Sequence, residues 1–446
     1  MKPASVVVVA AVLSGGAWAN GAAETYGHDV RSQGKGNAVV ADDSGAAAPF
    51  VNPAALARLR SPSFHAAFSL AIPTLGVALD NERDADDPLA PVNPSPVAGI
   101  TLGLAGPLDL IVDDRVYIGI TAYLPSVVLI RGRAFDPARP SFYLYDASTE
   151  HYEIFGGVGV RLTDWASVGF GTRFGAGQGG EAVLVLDPVR GRFTTQTLDT
   201  SQYSVMSPIG GLLIGPIGLP EIKGRLALVV REKSSFDVTL PASLTVSGLD
   251  VGLVLDLVTL SNFSPRTWTS GLTVEVLDQL NFAVDLEYAQ WSEAPSPFLH
   301  VTNDVSGAGL DRLGLGDALD APAKGQDRVL SPGFVDTLNL RAGVEGKLLD
   351  GLLRLRAGYG YRPTPVPDQT SGTNIIDNTA HVVSVGAGVV FLLPAVADKP
   401  FQVNGSYQAQ VLQPRVTEKA SSRDEIGGWT SSGVVSNVGV DLRYDW

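Results

Sequence analysis

Along its last thirteen residues the chain alternates between two kinds of side chain. Val434, Val438, Val440, Leu442, Tyr444 and Trp446 share one parity, with Ser436 the only polar residue among them. Asn437, Gly439, Asp441, Arg443 and Asp445 share the other. A period of two marks a strand whose faces meet different surroundings. The pattern recurs upstream: Phe401, Val403, Tyr407 and Val411 oppose Gln402, Asn404, Ser406, Gln408 and Gln410. Phe282, Val284, Leu286 and Tyr288 oppose Asn281, Asp285 and Glu287, and Leu338, Leu340 and Val344 oppose Asn339, Arg341 and Glu345. Leu353, Leu355, Tyr359 and Tyr361 oppose Arg354 and Arg356, and Val116, Ile118, Ile120 and Leu124 oppose Arg115, Tyr117 and Tyr123. The apolar parity of these segments is free of charge. An Arg or Lys on a lipid-facing strand position would cost about 2–4 kcal/mol at the bilayer midplane.

Composition narrows the choice further. The 446 residues are 45% hydrophobic and 17% charged, yet 50 Gly and 29 Pro are scattered among them. Beyond the amino-terminal segment no Pro-free apolar run approaches the roughly 20 residues of a spanning helix. The stretch Pro88–Leu108 carries five prolines and cannot be one helix. Lipid requires every backbone N–H and C=O to be paired within the protein, so the remaining spanning architecture is a closed antiparallel β-barrel. The absence of Cys excludes disulfide scaffolds, thiolate metal sites and cysteine nucleophiles. A net charge of −14 excludes nucleic acid as a partner, because a polyanion is bound through Lys and Arg.

The amino terminus carries a secretory signature: Lys2, an apolar core over Ala4–Leu13, and Ala17-Trp18-Ala19 as the small-x-small cleavage pattern. Residues 1–19 are therefore expected to be a cleaved signal peptide, residues 20–62 an N-terminal segment, and residues 63–446 the barrel. Short connections at Thr163-Asp164-Trp165, Leu277–Leu280 and Lys347–Asp350 alternate with long polar stretches near 80–95, 131–150, 177–200, 235–265, 292–333, 362–380 and 412–432. Alternating short and long connections are the mark of outer-membrane barrels. Seven long loops predict about fourteen strands, all-β. The strand-like segment Leu249–Leu260 falls where that count needs a loop.

The segment Gly36-Asn-Ala-Val-Val-Ala-Asp-Asp-Ser-Gly-Ala-Ala-Ala-Pro-Phe-Val-Asn-Pro-Ala-Ala-Leu-Ala57 resembles the amino-terminal hatch of the FadL/TodX-like long-chain fatty-acid and hydrocarbon transporters. Asp285-Leu-Glu-Tyr-Ala-Gln-Trp-Ser292 is similar to a strand end of that family. Tyr359-Gly-Tyr-Arg-Pro-Thr-Pro-Val-Pro-Asp368, Asn374-Ile-Ile-Asp377 and His381-Val-Val-Ser-Val-Gly-Ala-Gly388 are similar to its carboxyl region. Ala55 and the terminal Trp446 depart from the pattern. The resemblance implies fourteen strands, a small hatch of short helices plugging the lumen, and sideways exit of hydrophobic substrates. It also implies a bacterial outer-membrane location, with outer-membrane lipids and lipopolysaccharide as surroundings.

Asn52, Pro53 and Ala54 have a local role, because Asn suits an N-cap and Pro the first helical position; the resemblance adds gating. The lumen arginines Arg161, Arg173, Arg341, Arg354 and Arg356 could pair a carboxylate bidentately. Their near balance with lumen acids favours an internal ion-pair ladder instead. Sideways exit needs a kink or bulge in the wall, which Gly and Pro supply. The candidates are Pro73, Gly76, Gly99, Gly103, Gly106, Gly119 and Pro125. Asp285 and Glu287 are explained by lumen polarity better than by a hydrolase pair. Five dispersed histidines lack metal spacing, and Gly169–Gly180 lacks the Gly-Lys-Ser/Thr of a phosphate loop. Neither cofactor nor catalysis is expected. The expected function is passive uptake of a hydrophobic small molecule or lipid. The alternatives are a subunit or scaffold of a secretion or assembly complex, and a general porin for polar solutes.

Overall fold

The computed structural model describes residues 25–81, 83–84, 87–91, 93–108, 114–126, 135–145, 151–187, 192–246, 251–298, 300–306 and 330–446. The expected signal peptide lies outside them. In chain order the strands are β1 (Ser63–Leu79), β2 (Val97–Pro107), β3 (Val116–Pro125), β4 (Ser141–Phe142), β5 (Glu153–Thr163), β6 (Ala166–Asp187) and β7 (Arg192–Leu219). There follow β8 (Ile222–Arg231), β9 (Ser234–Val246), β10 (Val251–Ser264), β11 (Arg266–Val276), β12 (Leu280–Gln290) and β13 (His300–Ser306). The last six are β14 (Thr337–Leu348), β15 (Leu353–Arg362), β16 (Ile375–Ile376), β17 (Ala380–Phe391), β18 (Phe401–Thr417) and β19 (Trp429–Asp445).

Fourteen of these pair in a ring: β1, β2, β3, β5, β6, β7, β8, β11, β12, β14, β15, β17, β18 and β19. The ring closes where β1 meets β19, from Ser63↔Asp445 to Leu79↔Trp429. Every neighbouring pair in the ring is antiparallel. The alternation follows the wall as the sequence predicts. In β12, Phe282, Val284 and Leu286 are 47%, 45% and 42% exposed, whereas Asp285 between them is 1% exposed. Phe391, Phe401, Tyr444 and Trp446 stack in succession at the short-turn end, with centroids 6.1, 4.7 and 5.7 Å apart. Such an aromatic row suits a membrane–water boundary.

Two sequence expectations change at the long-loop end. Residues 177–187 and 192–200 are not loop but the outward continuation of β6 and β7, paired as far as Asp187↔Arg192. Leu249–Leu260 is strand for most of its length, as β10, yet stands outside the ring. It pairs with β9 and β13, and β9 lies parallel to the extension of β6. Period-two patterning reports a strand with two faces and carries no information on whether the strand spans lipid or stands above it.

Placing Arg at outward Leu286 should abolish the heat-modifiable migration of the folded barrel. Ala283 lies between Thr273 and Gly343, and a Cβ on Gly343 would meet Lys35 of the N-terminal segment. Arg at Ala283 should therefore leave the barrel folded while disturbing that segment. Equal loss of folded barrel in both variants would contradict the register.

Candidate functional site

The lumen is occupied by the chain's own amino-terminal residues, organised by short polar caps. Asp29 accepts from the backbone N–H groups of Arg31 (3.3 Å) and Ser32 (3.2 Å), starting the helix Val30–Gly34. Asn52 accepts from Ala54 N (3.0 Å), starting the 3₁₀ turn Pro53–Arg58, and its amide donates to Val40 O (3.0 Å). One buried side chain thus joins two parts of the segment and leaves neither end of its amide unpaired. Inward glycines let this segment approach the wall backbone. A Cβ on Gly169 or Gly159 would meet the Pro53–Arg58 turn, and one on Gly358 would meet Lys35 and Gly36.

Charge fixes the docking. Asp42 is paired with Arg31 (2.9 Å) and Lys35 (2.7 Å), and Glu345 of β14 with Arg31 (2.9 Å) and Arg356 (2.5 Å). The fully buried Lys35 also donates to Asn281 Oδ1 (2.7 Å). Asp285 Oδ2 accepts from the backbone N–H groups of Val39 (2.8 Å) and Val40 (3.0 Å), and Arg443 pairs with Asp29. Burial alone would raise the Asp42 carboxyl, but Arg31 and Lys35 outweigh it and hold it well below the usual carboxylate range.

On the other side of this segment the long loops form an aromatic cap. Short β4 pairs in parallel with β16. Phe135, Tyr143, Phe334, Trp291 and Phe263 make a chain of ring contacts with centroids 5.5, 5.1, 6.0 and 6.0 Å apart. Between cap and segment lies a cavity of about 180 Å³. Its inner wall includes His28, Val39, Val40, Phe50 and Val51, and its outer wall Leu144, Phe263, Trp291 and Pro365. His28, Phe50 and Phe155 pack edge to face in a triangle with centroid separations of 4.2, 4.9 and 5.1 Å. Burial pushes the His28 imidazole down to about 4.

The five arginines separate by depth. Arg161 donates to Ala57 O (3.0 and 2.8 Å), and Arg356 joins Glu345, so both hold the amino-terminal segment. Arg354 stands outside the cavity lining. Arg173 and Arg341 do line it, each already matched, Arg173 with Glu153 (3.2 Å) and Arg341 with Glu287 (2.6 Å). The cavity also takes in Arg231, Asn339 and Gln408, which the sequence alone does not single out. Their inward parity is legible, but their height above Asp42 is not.

The candidate glycines and prolines for sideways exit fall into two groups by their strand pairing. Pairing runs without a register shift through Gly99, Gly103, Gly106, Gly119 and Pro125. Pro73 and Gly76 pair with β19, on a stretch of β1 that continues past its last partner in β2 at Ala71↔Val97. The inward glycines answer a packing need instead. A Cβ on Gly119 would meet Leu56 (2.8 Å) and Pro49 (2.9 Å), and one on Gly103 would meet His65 and Ala46 O (2.9 Å).

A closed fourteen-stranded antiparallel barrel filled by its own amino-terminal segment defines a fold class, the plugged β-barrels. Among solved structures the chain is similar to a FadL homologue of Pseudomonas aeruginosa, at 16% identity and a TM-score of 0.57, over 96% of this chain and 100% of that one. It is similar to the toluene transporter TodX of P. putida at 14% identity and a TM-score of 0.57, over 93% and 97% of the two chains. The CymD monoaromatic hydrocarbon channel matches at 12% identity and a TM-score of 0.50, also over 93% and 97%. The resemblance to the FadL/TodX-like proteins is thus met in the fold. No family model and no curated protein sequence matches the chain.

Two measurements check the docking. Asp42→Ala leaves Arg31 and Lys35 buried with one carboxylate fewer, a loss of about 3–5 kcal/mol. Single-channel recordings should show larger and more frequent openings than the native protein. His28 takes up its proton near 6.5 when exposed and near 4 when docked, so docking weakens as pH falls from about 6.5 toward 4. Openings should therefore increase over that window. His28→Gln should flatten the slope, leaving any remainder to the titratable groups that act on it, Glu153, His65 and Asp29, beside the fixed charge of Arg231.

Proposed function

We propose that this protein is an outer-membrane channel for passive uptake of hydrophobic small molecules, of the long-chain fatty-acid or hydrocarbon class. In this reading residues 1–19 direct export and are removed, residues 20–62 form the hatch, and lipopolysaccharide and lipid surround the barrel. The observation that carries it is the largely apolar cavity held between the aromatic cap and the charge-locked segment, inside a wall that is apolar outside. A general porin needs an open lumen, and this one is occupied. The printed descriptions of the similar structures, a toluene transporter and a monoaromatic hydrocarbon channel, agree with a hydrophobic cargo.

The cargo leaves sideways. An apolar ligand gains about 25 cal/mol per Å² by staying out of water, and release into the bilayer keeps that gain. The wall region best suited to opening is where glycines register across adjacent strands. Gly119 faces Gly157 and Gly157 faces Gly171, while Gly159 faces Gly169 and Gly169 faces Gly211. These rows carry no inward side chain and rest on the Pro53–Arg58 turn. Displacing that turn leaves a wall with little packing behind it, and Asn52 is the cap that holds the turn.

Registered Ile118 and Val158 face outward on β3 and β5 and can be replaced by a cysteine pair in a chain that has no other Cys. Oxidation should stop uptake of a labelled hydrophobe by cells, and a reductant should restore it. Unchanged uptake with the pair fully oxidised would exclude this seam and direct the cargo down the lumen past Asn52.

A further inference from the structure

The short-turn end of the barrel is apolar where a turn ordinarily meets water. Trp165 (β5–β6), Leu219 (β7–β8), Leu277 (β11–β12), Leu349 (β14–β15) and Val396 (β17–β18) stand at five of the six strand connections there, each more than half exposed. The sixth connection, between β2 and β3, lies partly outside the described residues. Two of the five hold their apex at a backbone cost. Leu277 and Asp278 have φ of 55° and 54°, and Leu349 and Asp350 have φ of 52° and 55°. Consecutive left-handed residues suit Asn-Gly or Asp-Gly, and a bulky side chain at such a position is an outlier. Leucine there gains nothing from the backbone and nothing from water, which points to a contact outside the chain.

The apolar wall is also short without these turns. In β12 the outward row runs Leu280, Phe282, Val284, Leu286 and Tyr288, eight residue steps from end to end. At about 3.4 Å per step and a tilt of about 40° it rises about 21 Å, less than the apolar band of about 25 Å on a membrane barrel. The loop end of the row is closed by polar groups, since Tyr288 Oη donates to Asp336 (2.5 Å), which also accepts from Ser292 N (2.8 Å). The missing height therefore has to come from the other end, and Leu277 is the next apolar residue there.

Given that the barrel spans a membrane, and whatever it carries, we propose that its short-turn rim docks into the lipid leaflet at that end, with the apolar apexes seated where headgroups meet acyl chains. The row of Phe391, Phe401, Tyr444 and Trp446 stands at the same end, so the seat continues the lipid-facing wall. A protein partner would cover one sector of the rim, whereas apexes spread around it fit a surface that meets every turn alike. Charges beside the apexes are paired within the rim, Lys223 with Asp278 (2.7 Å) and Lys347 with Glu275 (3.0 Å). Asp164 and Asp350 keep the turns from sinking past the headgroups, because a carboxylate does not enter hydrocarbon. The mouth of the lumen at that end then lies among headgroups and not in open water.

Nitroxide labels on the full-length protein in phosphatidylcholine vesicles test this seat. The chain has no Cys, so Leu277→Cys, Leu349→Cys and, as a loop-end control, the exposed Ser422→Cys each take a single label. Heat-modifiable migration confirms that each variant is folded. Collision with oxygen, which concentrates among acyl chains, is compared with collision with a polar nickel chelate, which stays in water. The oxygen-to-chelate ratio should be several-fold higher at both apexes than at Ser422. Ratios at both apexes equal to that at Ser422 would put the rim in water and overturn the proposal. Low collision with both probes, together with dipolar broadening between labels, would overturn it in favour of a second copy seated on the rim.

Discussion

The structure depends on the seam between its first and last strands. Seventeen registered pairs join β1 to β19, and with them the last edge of the sheet disappears. In hydrocarbon an unpaired N–H or C=O costs several kcal/mol, so an open sheet of this length has no stable place in a bilayer. Closure also creates the two environments that the alternation reads. The outer face must be apolar because it meets lipid. The inner face can be polar because it meets the chain itself.

That freedom has a consequence. A ring of fourteen strands encloses a lumen too wide for its own side chains to fill, and polar groups there need partners. The amino-terminal segment supplies them. Arg31, Lys35 and Asp42 meet Asn281, Glu345 and Arg225 of the wall, and Asp285 receives two backbone N–H groups. Buried ion pairs of this kind return little net stability against a packed apolar alternative, but losing one member is costly. They therefore set one docking position for the segment. The glycines opposite it make that position reachable, because a single Cβ at Gly169 or Gly358 would occupy the space of the segment's backbone.

Aromatic loops close over the lumen, and between them and the segment Asn339 and Gln408 retain unused hydrogen-bonding capacity. Other buried atoms without a partner among the described residues lie within the lock itself, among them Asp285 Oδ1 and Arg356 Nη2.

The sequence by itself determined the wall. Alternation in segments such as Asn281–Tyr288 and Val434–Trp446 identifies strands and their charge-free outward faces, since the code is local, two residues long. It also marked Asn52-Pro53 as the start of a helical turn, again a local matter of one cap and one fixed φ. Depth and partnership lay beyond it. That Arg356 locks the amino-terminal segment while Arg341 borders a cavity depends on strand stagger and on where a segment about 300 residues away comes to rest. That Gly119 serves packing and not a break in the wall depends on Leu56 and Pro49 lying against it. That β10 stands outside the ring depends on its pairing with β13. These are contacts between residues remote in the chain, and only closure of the barrel brings them within reach.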